Sequence, residues 1–269
     1  MNLLIAVGVG MMAGAHIATW GMFKDSIHEG FTYRKYFRSV ILGSVLGFSL
    51  AQLTSLDLFD AGNLLLLFGM TYAAERAAME FYKGFLREED QSKYFIPMQL
   101  HVFGRIVRRR RARWGVGLGV FVFVLALVLL VWRLPPVSMG FFGILLAVAL
   151  GGLGGLVVAC GGAWKDGPFE GFEWRKFFRS PVAAGMWAAL LIPTTDRALF
   201  LALAGVGYSV ATWETYKTFF FPTKPRGKFA GMPVLYPALK RWRLRFVPIY
   251  VAIWACVLGA FITTYTYLP

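Results

Sequence analysis

Residues 24–39 read KDSIHEGFTYRKYFRS and residues 165–180 read KDGPFEGFEWRKFFRS. Ten of these 16 positions are identical at a constant offset of 141. Lys24, Asp25, Glu29, Gly30, Phe31, Arg34, Lys35, Phe37, Arg38 and Ser39 match Lys165, Asp166, Glu170, Gly171, Phe172, Arg175, Lys176, Phe178, Arg179 and Ser180. The same offset carries Gly10 and Gly14 onto Gly151 and Gly155, and Glu80-x-Tyr82-Lys83 returns as Glu214-x-Tyr216-Lys217 at an offset of 134. Basic clusters, Arg105 to Arg113 and Lys240 to Arg245, follow in both halves. The chain therefore reads as a duplicated unit, 1–133 and 134–269.

Composition says what kind of unit this is. Of 269 residues, 58% are hydrophobic and 16% charged, with a mean hydropathy of +0.59, which excludes a water-soluble domain. Runs such as Gly115 to Trp132 and Phe246 to Thr264 approach the roughly 20 residues that cross about 30 Å of hydrocarbon as helix. The apolar segments predict an all-α integral membrane protein with eight transmembrane helices at about 2–22, 40–55, 62–82, 114–132, 140–163, 181–194, 198–220 and 247–267. The first segment lacks a basic n-region and has a counterpart in mid-chain, so it reads as a retained helix and not as a signal peptide.

An even number of helices per unit returns the chain to its starting side, so the two four-helix repeats should share one orientation about an axis along the membrane normal. The small-xxx-small spacing of Gly10/Gly14 and Gly151/Gly155 favours close helix approach in lipid and predicts helices 1 and 5 as the central pair.

The net charge of +14 does not point to nucleic acid, because 25 of the 28 Lys and Arg residues fall in residues 23–39, 83–113, 165–179 and 217–245. The intervening short loops are poor in both. This is the positive-inside pattern, and it predicts an inner or plasma membrane location with the basic loops cytoplasmic and both termini outside.

The duplicated motif is the first candidate site. Arg34 and Arg38, and Arg175 and Arg179, are i, i+4 neighbours if helical. Together with Lys24, Lys35, Lys165 and Lys176, and with interleaved aromatics, they suit an amphipathic interfacial segment that presents cations to the phosphate of an anionic lipid. The acids Asp25, Glu29, Asp166 and Glu170 have the spacing of one helical face. With Glu80 and Glu214 they are expected to form an ion-pair clasp in each repeat, reaching Arg38 and Arg179.

The second candidate lies where the halves differ. Glu75 and Arg76 stand where the second repeat has Ser209 and Val210, and His16 stands where it has Val157. Charge inside a membrane span is costly and faces protein or water. These three, with Ser44, Ser49 and Gln52, are expected to line a polar pocket in the first repeat. Cys160 and Cys256 sit in apolar runs, and neither has an assigned role.

No phosphate-binding Gly-rich loop, zinc motif, bis-histidine haem pair, aspartate-rich Mg²⁺ motif or nucleophile turn occurs, so no cofactor, metal or catalytic residue is expected. The expected function is transport of a small solute or lipid at the repeat interface. The alternatives are a structural or anchor subunit of a larger membrane complex, and a lipid-phosphate enzyme or binding protein. Anionic lipids, partner subunits or a second copy are the expected partners.

The topology is testable: a cysteine placed at Ser138 should react with an impermeant thiol reagent from outside, and one at Ser92 should not. Equal labelling contradicts the eight-span arrangement.

Overall fold

The computed structural model describes residues 2–92, 94–222 and 229–267. The basic residues Lys93, Lys224, Arg226 and Lys228 lie outside the described residues. The fold is all-α, with eight helices: α1 Asn2–Glu29, α2 Tyr33–Thr54, α3 Ala61–Phe81, α4 Arg110–Trp132, α5 Phe141–Glu170, α6 Trp174–Leu190, α7 Ala198–Phe219 and α8 Leu239–Thr266. A two-residue antiparallel hairpin pairs His101–Val102 with Arg105–Ile106.

Five helices, α1, α2, α4, α5 and α8, are long and apolar enough to cross a membrane. The other three have a physical reason to fall short. The α3 and α7 helices are the most enclosed, with Leu66, Leu67, Tyr72, Leu201, Ala204 and Tyr208 fully buried, so protein surrounds their polar residues. The α6 helix has only 17 residues.

The duplicated motif is not an interfacial loop segment. Its Lys-Asp-x3-Glu part is the last two turns of α1 and α5, and its Arg-Lys-x2-Arg part opens α2 and α6. Hydropathy marks where hydrocarbon would end, whereas the helix continues until its backbone is capped. Gly30 and Gly171 supply those stops at φ +75° and +78°, a region that side chains resist. Thr32 then caps α2 by accepting from the Lys35 N–H.

The expected α1–α5 pairing is replaced by packing within each half. A Cβ on Gly47 would lie 2.7 Å from Gly10 Cα, and one on Gly14 would lie 2.8 Å from Val40 Cα, so the glycines seat α1 on α2. Gly155, with a Cβ 2.7 Å from Pro181 Cα, does the same for α5 on α6. The pair that joins the halves is α3 and α7: a Cβ on Gly69 would lie 2.9 Å from Ala204 Cα, and the Tyr208 hydroxyl donates to the Leu65 carbonyl at 3.1 Å.

The last helix of each half reaches the other half, although α4 is also held by its own half through Gly117 on Phe85 and Arg113 on Glu88. Trp132 of α4 meets Phe200 of α7, while Tyr250 of α8 stacks on His16 of α1 at 4.1 Å. The loops cross over as well. His101, in the loop after α3, stands edge-on to Phe169 of α5, and Phe229, in the loop after α7, stacks on His28 of α1.

Because α3 and α7 touch backbone to backbone, Gly69→Val should destabilise the protein by about 1–3 kcal/mol through overpacking. Gly8→Ala, where a Cβ meets nothing within 4 Å, should be neutral or slightly stabilising. Thermal unfolding in detergent reads both.

Candidate functional site

The polar groups gather where α1, α3, α5 and α7 come together at the end of the bundle that carries the motif. Glu214 of α7 accepts from Lys24 of α1 at 2.7 Å and also pairs with Lys217. Glu80 of α3 accepts from Lys165 of α5 at 2.9 Å and from Lys83 at 3.2 Å. Lys24 and Lys165 therefore each cross to the glutamate of the opposite half, and each glutamate also binds the lysine three residues after it. The clasps join the two halves of the chain, and Lys24, Lys165 and, on Glu80, also Arg76 supply the charge in place of the expected Arg38 and Arg179. An arginine starting α2 or α6 stands on an outer helix, whereas Lys24 and Lys165 end the helices that flank α3 and α7.

A column of polar and aromatic side chains leads into these clasps. His16, Trp20 and Lys24 recur every four residues along one stripe of α1, and Tyr72, Arg76 and Glu80 do so along α3. Trp20 Nε1 donates to the Tyr72 hydroxyl at 2.8 Å, and His16 Nδ1 shares that hydroxyl at 3.1 Å. Two cations approach the Trp20 ring, Lys24 Nζ at 4.5 Å and Arg76 Cζ at 5.5 Å from its centre, and Arg76 pairs with Glu80. On the far side of His16, the Tyr250 hydroxyl shares a hydrogen bond with Thr215 Oγ1 at 2.6 Å, and Trp254 Nε1 donates to the same Thr215 oxygen at 3.2 Å.

Glu75 stands beside the column. Its side chain is 0% exposed, with Arg76 Nη1 4.0 Å from one carboxylate oxygen. Neither of its oxygens, nor Thr71 Oγ1 one turn earlier, has a hydrogen-bond partner among the described residues. Ser209, its counterpart, donates to the Ser180 carbonyl at 3.2 Å. The helix-2 residues expected in this pocket do not supply the network: Ser44 bonds back to Val40 O within α2, and Gln52 is exposed.

The remaining motif residues are dispersed. Arg34 and Lys35 are exposed at the start of α2, and Arg38 is exposed within Coulombic range of Glu75 and Arg76. Lys176 pairs with Glu173 at 3.1 Å. Arg175 and Arg179 line a groove on α6. Asp25, Glu29, Asp166 and Glu170 lie partly buried in the closing turns of α1 and α5. Outside the helices, burial against Phe169 lowers the proton affinity of His101 below its ordinary value.

Sequence reasoning missed Trp20, Tyr72, Thr215 and Tyr250. The four-residue recurrence of His16, Trp20 and Lys24 was the signal available, whereas the Tyr250 and Thr215 contacts depend on how α8 crosses the bundle. Comparison with known protein families, curated proteins and solved structures finds no match.

A double-mutant cycle tests the clasp. Lys24→Met and Glu214→Gln should each lower stability, and the pair should show a coupling of about 1–3 kcal/mol. Lys24→Met with Glu80→Gln should show a clearly smaller coupling than the Lys24 and Glu214 pair.

Proposed function

We propose that the chain is an integral membrane protein of two tandem four-helix units in one orientation, and that it carries a small solute or lipid across the membrane between those units. The observation that carries this reading is the column itself. His16, Trp20, Tyr72 and Arg76 correspond to Val157, Gly161, Val206 and Val210 in the second half, while its terminal Lys24 and Glu80 recur as Lys165 and Glu214. Duplication accounts for the clasps, and only the first half continues them inward. Over the eight residues from His16 to Lys24 the column extends about 12 Å along the helix axis. A buried carboxyl whose oxygens have no hydrogen-bond partner among the described residues is costly, and Glu75 at the column's side is a cost that packing alone does not require.

In this reading the clasps close the pathway on the cytoplasmic side, where the positive-inside rule puts the basic loops, with both termini outside. Ion pairs between units can part without exposing a large apolar surface, and α3 against α7 serves as the pivot. The five long apolar helices support the membrane assignment.

One observation favours a second reading, a subunit of a larger membrane complex. The α4 helix is held at Arg113, Gly117 and Val131 and otherwise leaves almost its whole circumference uncovered. A stoichiometric partner retained through purification would decide for it.

In proteoliposomes containing an entrapped pH-sensitive dye, the wild-type protein should dissipate an imposed pH gradient. Glu75→Gln should strongly reduce that rate, and Ser209→Ala should leave it unchanged. Wild-type vesicles no faster than empty ones, or equal rates for Glu75→Gln and wild type, contradict this reading, in which the solute crosses together with a proton along a path lined by Glu75.

A further inference from the structure

We infer that the outer face of α6 holds one anionic phospholipid, with its phosphate on Arg175 and Arg179 and an acyl chain along Val182, Ala183 and Met186. This rests on the membrane reading above and adds a lipid site to it. The groove has a volume of about 380 Å³ and is closed at one side by Trp213 of α7.

Arg175 and Arg179 are one turn apart on the same face, and neither forms an ion pair among the described residues. Of the nearby acids, Glu173 is taken by Lys176, and Glu170 lies within Coulombic range of Arg179 without pairing to it. The Arg179 guanidinium lies 5.3 Å from the Trp213 ring centre, and Trp213 Nε1 donates to the Arg179 carbonyl at 3.1 Å. The ring thus holds one wall of the groove and leaves guanidinium N–H groups free to donate. Two guanidiniums a turn apart suit the bidentate recognition of a phosphate.

Below them the lining turns apolar. Val182 is 57% exposed and Met186 61% exposed, and Met186 lies seven residues beyond Arg179, about 10 Å along the helix. Cations at one end and an uncovered apolar floor running toward the bundle's middle match the polarity of a single phospholipid. A soluble anion would use the arginines and leave the floor bare.

The test uses the full chain purified in detergent, with bound phosphatidylglycerol or phosphatidylcholine counted by native mass spectrometry. Phosphatidylglycerol should bind at one per chain. Arg175→Gln with Arg179→Gln should weaken it about tenfold, Val182→Trp should weaken it with the charges intact, and Arg34→Gln with Arg38→Gln should leave it unchanged. Equal loss from the Arg34/Arg38 variant, or retention by the Arg175/Arg179 variant, would overturn the site while leaving the membrane reading intact. A dimer that Val182→Trp dissociates, with lipid binding unaltered, would assign the groove to a second copy and overturn it too. Recovery of the wild-type chain from the soluble fraction would remove the membrane reading and this inference together.

Discussion

A lysine and a glutamate at the end of an apolar bundle are each costly to bury alone and tolerable as a hydrogen-bonded pair. In this protein the pairing crosses the duplication: Lys24 to Glu214 and Lys165 to Glu80. A unit folded by itself would leave Lys24 or Lys165 without its glutamate, while Glu80 kept Arg76 and Lys83 and Glu214 kept Lys217. The exchange therefore ties each half to the other at the same end of the bundle, and the rest of the architecture follows it. The last helix packs on the first half and α4 reaches α7 at Trp132, the loops after α3 and α7 cover the opposite motif, and α3 and α7 meet through Gly69, Ala204 and Gly207.

Within this shared frame the two halves have diverged in one place. The first half extends its clasp inward through Arg76, Trp20, Tyr72 and His16, and buries Glu75 at its side; the second half fills the corresponding positions with Val157, Gly161, Val206, Val210 and Ser209. Packing would be served as well by the smaller or apolar set, as the second half demonstrates in the same fold. The extra polarity therefore points to the proposed transport role, with the clasps as its closure.

Much of the fold was legible before the structure. Eight apolar segments correspond to eight helices, and the repeat located the residues that pair. The boundaries were misread at the motif, because Asp25, Glu29 and Arg34 lower hydropathy without ending a helix and the stop is Gly30 with its positive φ. Gly10 and Gly14 signalled close packing without naming a partner, so their seat on α2 could not be told from one on α5. Glu80 and Glu214 form ion pairs in the structure, but sequence order made Arg38 look like the partner of Glu80. Only the crossing of the halves brings Lys165 to it, and that is a property of the assembled bundle.

The reciprocal connection can be measured directly. With a protease site inserted in the loop between α4 and α5, Lys24→Cys with Glu214→Cys can be joined by a short bifunctional thiol reagent in native Cys160→Ser, Cys256→Ser protein, and the chain then cut. The exchange predicts that the two halves migrate as one covalent species for this pair and for Lys165→Cys with Glu80→Cys, and separate for Lys24→Cys with Glu80→Cys. Separation of the halves for the first two pairs, with cross-linking only of Lys24→Cys to Glu80→Cys inside the first half, would contradict it.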